Sequence, residues 1–87
     1  MATDGGRPLL LTLYSRLWCH LCDDMLDKLR VMQAEVPFEL EVLDIDSEPA
    51  LEAAYGELVP VLMHGKHRLC HYHLDSSAVT EYLRKFR

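Results

Sequence analysis

The hydrophobic and polar positions change their period along the chain, and each change predicts a new element. Residues 9–14 (LLLTLY) form a short, almost continuous apolar run, which predicts a buried strand. From Leu21 the apolar residues recur at spacings of three and four, which predicts an amphipathic helix of about four turns that Pro37 ends. Alternation from Phe38 to Leu43 then predicts a second strand with one partly solvated face.

A short second helix is predicted after that strand. Ser47 can cap its N-terminus, and Pro49 falls in its first turn, where proline is tolerated because the missing N–H has no helical partner there. Gly56 would end the helix in a left-handed conformation, which glycine adopts without strain.

A hairpin and a final helix complete the chain. Residues 59–63 and 68–72 flank a short loop that contains a glycine, as in an antiparallel pair of strands. Asp75 or Ser76 can cap a last helix whose apolar residues again follow a helical period. The order β-α-β-α-β-β-α therefore predicts an α/β fold in which three helices flank a four-stranded mixed sheet.

The length and apolar content limit the chain to one folded unit. At 87 residues it can enclose one hydrophobic core, and its 49% apolar content is sufficient to fill that core. We therefore expect a single domain over residues 1–87, monomeric, with segment 1–8 flexible.

The charge and hydropathy of the chain exclude two classes of partner. The net charge of −5 has the wrong sign for binding nucleic acid or anionic lipid. The longest strongly apolar stretch, residues 9–13, is far shorter than the roughly 20 residues of a membrane-spanning helix. No small-residue cleavage site follows it, which argues against a secretion signal. We expect a cytoplasmic protein that binds neither nucleic acid nor membrane.

Most of the acidic residues lie in the middle of the chain. The segment from Cys19 to Glu57 holds eleven of the fourteen acids but only Lys28 and Arg30 among the bases. Such a segment is either the solvated outside of helices and strands or a docking surface for a basic partner. The sequence leaves both interpretations open.

The cysteines carry the candidate chemistry. Three is an odd number, which in a reducing compartment leaves metal binding, redox chemistry or core packing as explanations. Cys19 falls between the first strand and the first helix, and free amides at a helix N-terminus favour a thiolate there. Cys22, three residues later, can attack a mixed disulfide formed on Cys19. The motif predicts thiol-disulfide exchange with Cys19 as the nucleophile and Cys22 as the resolving thiol.

Charged neighbours of the motif act in opposite directions. Arg16 and a protonated His20 favour a thiolate on Cys19, whereas Asp23 and Asp24 disfavour it. The sequence does not decide the balance.

Trp18, beside the motif, and Pro60, at the start of the third strand, are two further candidate residues. Trp18, directly before Cys19, is either a lid over the first helix or an exposed contact surface. Pro60 follows Val59 at the start of the third strand, where proline removes a hydrogen-bond donor from the sheet. X-Pro bonds are cis in only about 5% of cases, so the bond by itself predicts a trans proline at the start of an edge strand.

The runs LTLYSRLWCHLCDDM and LVPVL, together with the element order, resemble the glutaredoxin-like branch of the thioredoxin superfamily. The likeness spans residues 9–87 and is greatest to small bacterial glutaredoxin-like proteins whose substrates are not established. It implies that Cys19 attacks, that Cys22 resolves, and that Pro60 is a cis-proline facing them.

The resemblance also implies contacts for glutathione as a co-substrate. Val59 would pair its backbone with the cysteinyl part of glutathione, and Arg16 would meet one of its carboxylates. Asp75 would take the place of the acidic residue that holds the amino end, although the glycine pair of glutaredoxins is replaced in residues 69–74 (LCHYHL). His20 and the following leucine replace the usual proline-tyrosine pair, which alters the substrate face.

A zinc site is the rival explanation for the cysteines. Cys19, Cys22 and Cys70 with a histidine of the segment 64–73 could be written as a Cys₃His set. The separation of Cys22 from Cys70 is far longer than in a zinc ribbon, and strand alternation turns Cys70 away from its histidine neighbours. We favour Cys70 as a buried residue on the inner face of the fourth strand, the histidines on a solvated face, and no metal.

The sequence thus supports two functional hypotheses. The first is an enzyme, a thiol-disulfide oxidoreductase that reduces protein disulfides or glutathione adducts and binds no cofactor. The second is a non-catalytic module of the same fold that docks a protein through the face around Trp18, Cys19 and Pro60.

Overall fold

The computed structural model of the protein describes residues 9–85, so the expectation that segment 1–8 is flexible lies outside the described residues. Its elements are β1 (Leu9–Ser15), α1 (His20–Gln33), β2 (Phe38–Asp44), α2 (Pro49–Tyr55), β3 (Val61–His64), β4 (His67–His71) and α3 (Ser76–Arg84). A short 3-10 turn, Ile45–Ser47, precedes α2. The predicted order of strands and helices is confirmed.

The four strands form one mixed sheet in the order β2-β1-β3-β4. β1 runs parallel to β2, with Leu9 opposite Phe38 and Ser15 opposite Asp44. β3 is antiparallel to both β1 and β4. Because β1 and β2 are parallel and in register, their C-terminal ends meet at the same edge of the sheet, where the chain leaves β1 for α1.

The hydrophobic core lies between one face of the sheet and helices α1 and α3. The apolar stripe of α1 is buried, as its period predicted, and packs with residues from three strands and from α3. The buried cluster consists of Leu11, Leu13, Met25, Leu29, Met32, Phe38, Leu62, Val79 and Leu83. On the opposite face, Tyr14 of β1 stacks on Tyr55 of α2 with the ring centroids 4.3 Å apart.

Two predicted features of α2 are wrong. Ser47 does not cap the helix, because it lies in the 3-10 turn and donates its hydroxyl to the carbonyl of Asp44 at 2.7 Å. Glu48 occupies the N-cap position without a side-chain capping bond. Gly56 is right-handed, with φ −54°, and its lack of a side chain serves a close approach instead. A Cβ there would lie 2.6 Å from the carbonyl oxygen of Glu52.

The remaining element bounds differ from the predictions by a few residues. β3 begins at Val61 rather than at position 59, since Pro60 has no N–H to offer the sheet. α1 ends at Gln33, before Pro37. α3 is capped by Asp75, whose carboxylate accepts the backbone N–H of Ala78 at 3.1 Å.

Gly56→Ala tests the close approach at the end of α2. We expect a loss of about 1–3 kcal/mol in the free energy of unfolding, because the new methyl group must displace the Glu52 backbone. Urea titration measures this loss. Gly65→Ala is the control, since Gly65 has φ 60° but open space around it, and should cost about 1 kcal/mol from backbone conformation alone. Unchanged or higher stability of Gly56→Ala would contradict the steric explanation.

Candidate active site

Cys19 and Cys22 lie where the first helix begins, as predicted. Cys19 is the N-cap of α1, Cys22 falls in the first turn, and the two are joined as a disulfide with Cα atoms 5.2 Å apart. The turn that leads from β1 into the helix includes Trp18 with φ 63°, a left-handed conformation that reverses the chain just before Cys19.

The two sulfurs differ in exposure. Cys22 is 3% exposed, whereas Cys19 is only half-buried. The backbone N–H of Cys22 donates to Cys19 Sγ at 3.1 Å, so the outer sulfur receives a hydrogen bond from the open end of the helix. The arrangement presents one sulfur to a reactant and keeps the other behind it.

The loop before β3 lies beside the end of β1. The Val59–Pro60 peptide bond is cis, and Pro60 is buried. Since Val61 pairs with Tyr14 in the sheet, Pro60 lies next to the strand end that leads to the cysteine motif.

Tyr72 holds this loop at two points. Its backbone N–H donates to the carbonyl of Pro60 at 2.9 Å, and its hydroxyl donates to the carbonyl of Glu57 at 2.8 Å. The residue has φ 66°, which directs the chain away from β4. Sequence reasoning missed this role, because no short motif marks a tyrosine in a left-handed conformation.

Arg16 joins the active-site loop, residues 16–19 between β1 and α1, to the 3-10 turn and to α2. Its guanidinium contacts both carboxylate oxygens of Asp46 at 3.1 Å and Glu52 Oε2 at 2.9 Å. It also lies 3.4 Å from the carbonyl of Gly56. Hydrogen bonds to Asp46 and then Glu52 raise the pKa of Arg16, so the side chain stays charged. A glutathione carboxylate would have to compete with these two partners for Arg16.

Four of the predicted site residues line one shared groove: Arg16, Trp18, His20 and Cys22. Val59 and Pro60 lie in the loop before β3 and do not line it. Asp75 is also outside this groove, and its carboxylate is used in capping α3.

The exposure of Trp18 decides between the two interpretations of that residue. Its side chain is 97% exposed, so it is not a lid packed on α1. The neighbouring Leu17 is 70% exposed. The chain therefore presents two large apolar side chains to solvent directly before Cys19.

The zinc set of the rival hypothesis is not assembled. Over residues 9–85, no group of three or more His, Cys, Asp or Glu side chains is placed to hold a metal ion. Cys70 is half-buried against the core, and burial raises the pKa of its thiol. His64 is not fully solvated as expected, because its Nδ1 lies 2.7 Å from the hydroxyl of Tyr82 on α3.

Within residues 9–85, no helix is long and apolar enough to cross a membrane.

The fold and the position of the cysteine pair define a protein of the thioredoxin type. Thioredoxin 1 from Thermosipho africanus superposes with a TM-score of 0.60 at 16% identity, covering 90% of this chain and 98% of that one, which establishes the fold alone. The predicted fold class is confirmed.

Residues 10–84 match the model of the glutaredoxin-like domain family (DUF836), and the chain belongs to this family. It is similar to protein Ne2328 from Nitrosomonas europaea, with 45% identity over 87% of this chain and 92% of that one and a TM-score of 0.78. It is also similar to protein XcR50 from X. campestris, with 36% identity over 86% and 96% and a TM-score of 0.68. No curated protein matches the chain.

Arg16→Ala tests the ion pairs that hold the active-site loop to α2. We expect a lower urea midpoint, because Asp46 and Glu52 then face each other without their shared cation. Arg16→Lys should fall between wild type and Arg16→Ala, since lysine cannot reproduce the bidentate contact. Arg30→Ala, which removes an exposed arginine from α1, is the control. A midpoint equal to that of wild type would show that the pairs contribute nothing to stability.

The raised pKa of Cys70 predicts slow alkylation of that thiol. At a given pH a higher pKa means less thiolate, so the iodoacetamide rate of Cys70 in the reduced protein should rise at higher pH than that of free glutathione. Peptide mass spectrometry after timed alkylation measures the rate at each cysteine. A Cys70 profile at or below that of glutathione would contradict the burial argument.

Proposed function

We propose that the protein is a thiol-disulfide oxidoreductase that reduces disulfides through Cys19 and Cys22. One observation carries the proposal: Cys19 is partly exposed at the N-terminus of α1, its Sγ accepts the N–H of Cys22, and it is bonded to the sulfur of the buried Cys22. An amide at a helix N-terminus favours negative charge on the sulfur that it contacts, and the thiolate is the nucleophilic form of cysteine.

The reaction has two exchange steps. The Cys19 thiolate attacks one sulfur of the substrate disulfide, so that a bond forms to Cys19, the substrate S–S bond breaks, and one substrate thiolate leaves. Cys22, after losing its proton, attacks Cys19 Sγ, closes the Cys19–Cys22 disulfide and releases the second substrate thiolate. Two electrons pass from the protein dithiol to the substrate, and the product thiolates take up protons from water.

The difference in exposure supports this order of attack. Cys22 is too buried for an external disulfide to reach, but it lies beside the sulfur that carries the mixed disulfide. The second step is therefore intramolecular and benefits from a high effective concentration. Two glutathione molecules, which leave as glutathione disulfide, or one dithiol protein, which leaves as its disulfide, then return the Cys19–Cys22 disulfide to the dithiol.

A protein disulfide fits the site better than a glutathione adduct. Two of the three positions implied for glutathione have partners within the chain, since Arg16 binds Asp46 and Glu52 and Asp75 caps α3. Val59, the third, precedes the cis-proline and would act through its backbone. We propose protein disulfides as the main substrates of a monomeric cytoplasmic enzyme, with glutathione as a reductant.

A non-catalytic docking module is the second candidate. The observation that favours it is the nearly complete exposure of Trp18 beside the cysteine pair, since exposed tryptophan is common where proteins bind one another. Such a module would retain its binding without either cysteine.

Single cysteine replacements test the enzymatic proposal. Cys19→Ser should lower the rate of hydroxyethyl disulfide reduction by about 1,000-fold or more, because the nucleophile is lost. Cys22→Ser should still attack and accumulate a mixed disulfide on Cys19, visible by mass spectrometry. Reduced Cys19 should also alkylate faster than a model thiol at about pH 6.

The third cysteine supplies a matched control. Cys70→Ser removes a thiol of the same chain outside the motif and should leave the rate unchanged. If Cys19→Ser reduces the disulfide as fast as wild type does, and Cys19 alkylates no faster than a model thiol, the enzymatic proposal fails and the docking module remains.

A further inference from the structure

A groove of about 590 Å³ opens beside the cysteine pair, between the first half of α1 and the end of β2. Its lining includes the largely buried Cys22 and both chain neighbours of Cys19, though not Cys19 itself, so a molecule in it would lie beside the cysteine pair. The apolar side chains that line it include Leu17, Trp18, Leu26 and Val42. The acidic side chains at its rim are Asp23 and Asp44.

The groove exists because α1 does not cover the last part of β2. Phe38, Leu40 and Val42 alternate onto the face of the sheet that packs against α1, and their exposure increases along the strand. Phe38 is 5% exposed, whereas Val42 is 40% exposed although Leu13 opposite it is completely buried. A valine on the core side of the sheet is therefore open to solvent in the groove that Cys22 also lines.

The apolar residues of the groove form a patch rather than isolated exposures. Leu17 and Trp18 continue the exposed apolar surface from Val42 to the residue before Cys19. Contiguous apolar surface of this kind usually marks a site of interaction. Val31, by contrast, is 68% exposed on α1 but does not line the groove.

The charges around the groove are negative. The carboxylates of Asp23 and Asp44 lie exposed at its rim. Arg16 also lines it, but its charge is offset by Asp46 and Glu52. The groove therefore combines an apolar floor with an acidic edge.

We propose that this groove binds the residues that flank the reacting cysteine of a protein substrate, with an apolar side chain against Val42 and Leu26 and a basic side chain at the Asp23 and Asp44 rim. The inference rests on the proposed function, because the groove would deliver a substrate disulfide to Cys19 Sγ. The exchange steps are those given above, and the groove adds selectivity for the neighbouring residues.

Charge argues against a second copy of the chain as the occupant. The chain carries a net charge of −5, and the segment 19–57, which forms most of the groove, holds most of its acids. Two such surfaces repel each other, whereas a basic segment is attracted.

Four peptide disulfides test the groove. Each is a homodimer of a short peptide linked through its single cysteine, with leucine or serine next to the cysteine and arginine or glutamate one residue further. Reduced protein is mixed with each, and the released peptide thiol is measured after acid quenching. Wild type should reduce the leucine-arginine peptide about tenfold faster than the serine-glutamate peptide, through apolar burial and charge. The arginine preference should weaken in high salt.

Val42→Lys changes the floor of the groove without touching either cysteine. It should abolish the preference for leucine and weaken the preference for arginine over glutamate, with each rate expressed relative to hydroxyethyl disulfide. Val42→Thr keeps the shape of the side chain and should reduce the leucine preference to about twofold. It provides the same test if the lysine variant does not fold. Val31→Lys places the same charge on α1 outside the groove and should behave like wild type.

The outcomes separate the groove from the enzymatic proposal. Equal rates for all four peptides, with normal reduction of hydroxyethyl disulfide, would overturn the groove and leave the function standing. If no disulfide is reduced, the proposed function fails. The groove is then tested by NMR, with the Cys19→Ser, Cys22→Ser double variant and a leucine-arginine peptide in which serine replaces the cysteine. Shifts at Val42 and Leu26 would support it, and their absence would overturn it.

Two other occupants would overturn the proposal in recognisable ways. Concentration-dependent dimerisation that Val42→Lys abolishes would assign the groove to a second copy. Shifts at Val42 on deletion of residues 1–8, with none on addition of the peptide, would assign it to the chain's own N-terminal segment.

Discussion

The packing of α1 against β1 positions the cysteine pair of the candidate site. Met25 and Leu29 of the helix are buried with Leu11 and Leu13 of the strand, and this contact sets both the height and the direction of α1 over the sheet. Because only residues 16–19 connect β1 to α1, the helix begins close to the end of β1. Cys19 consequently lies at the open end of α1 and Cys22 beneath it.

Two polar residues hold the loops around that fixed helix end. Arg16 ties the segment before Cys19 to Asp46 and Glu52, and Tyr72 ties the cis-proline loop at two backbone carbonyls. Both act between segments far apart in the chain, so each replaces contacts that the loops could not make locally. The ion pairs of Arg16 engage a side chain that a glutathione carboxylate would otherwise contact.

The groove beside the cysteine pair lies at the end of β2. Val42 is on the core side of the sheet opposite the buried Leu13, yet its side chain is 40% exposed. Leu17 and Trp18, which lead into α1, are exposed at the same groove. Its apolar surface therefore combines the end of β2 with the loop before α1.

The sequence by itself determined the order of the elements, the buried stripe of α1 and the position of the cysteines at its start. These features depend on local periods and on residues close in the chain, which a single sequence displays. The tertiary structure alone decided what Arg16 binds and that Val42 is exposed. In both cases the partner or the missing neighbour lies on another element, so only the folded arrangement of β1, β2, α1 and α2 could reveal it.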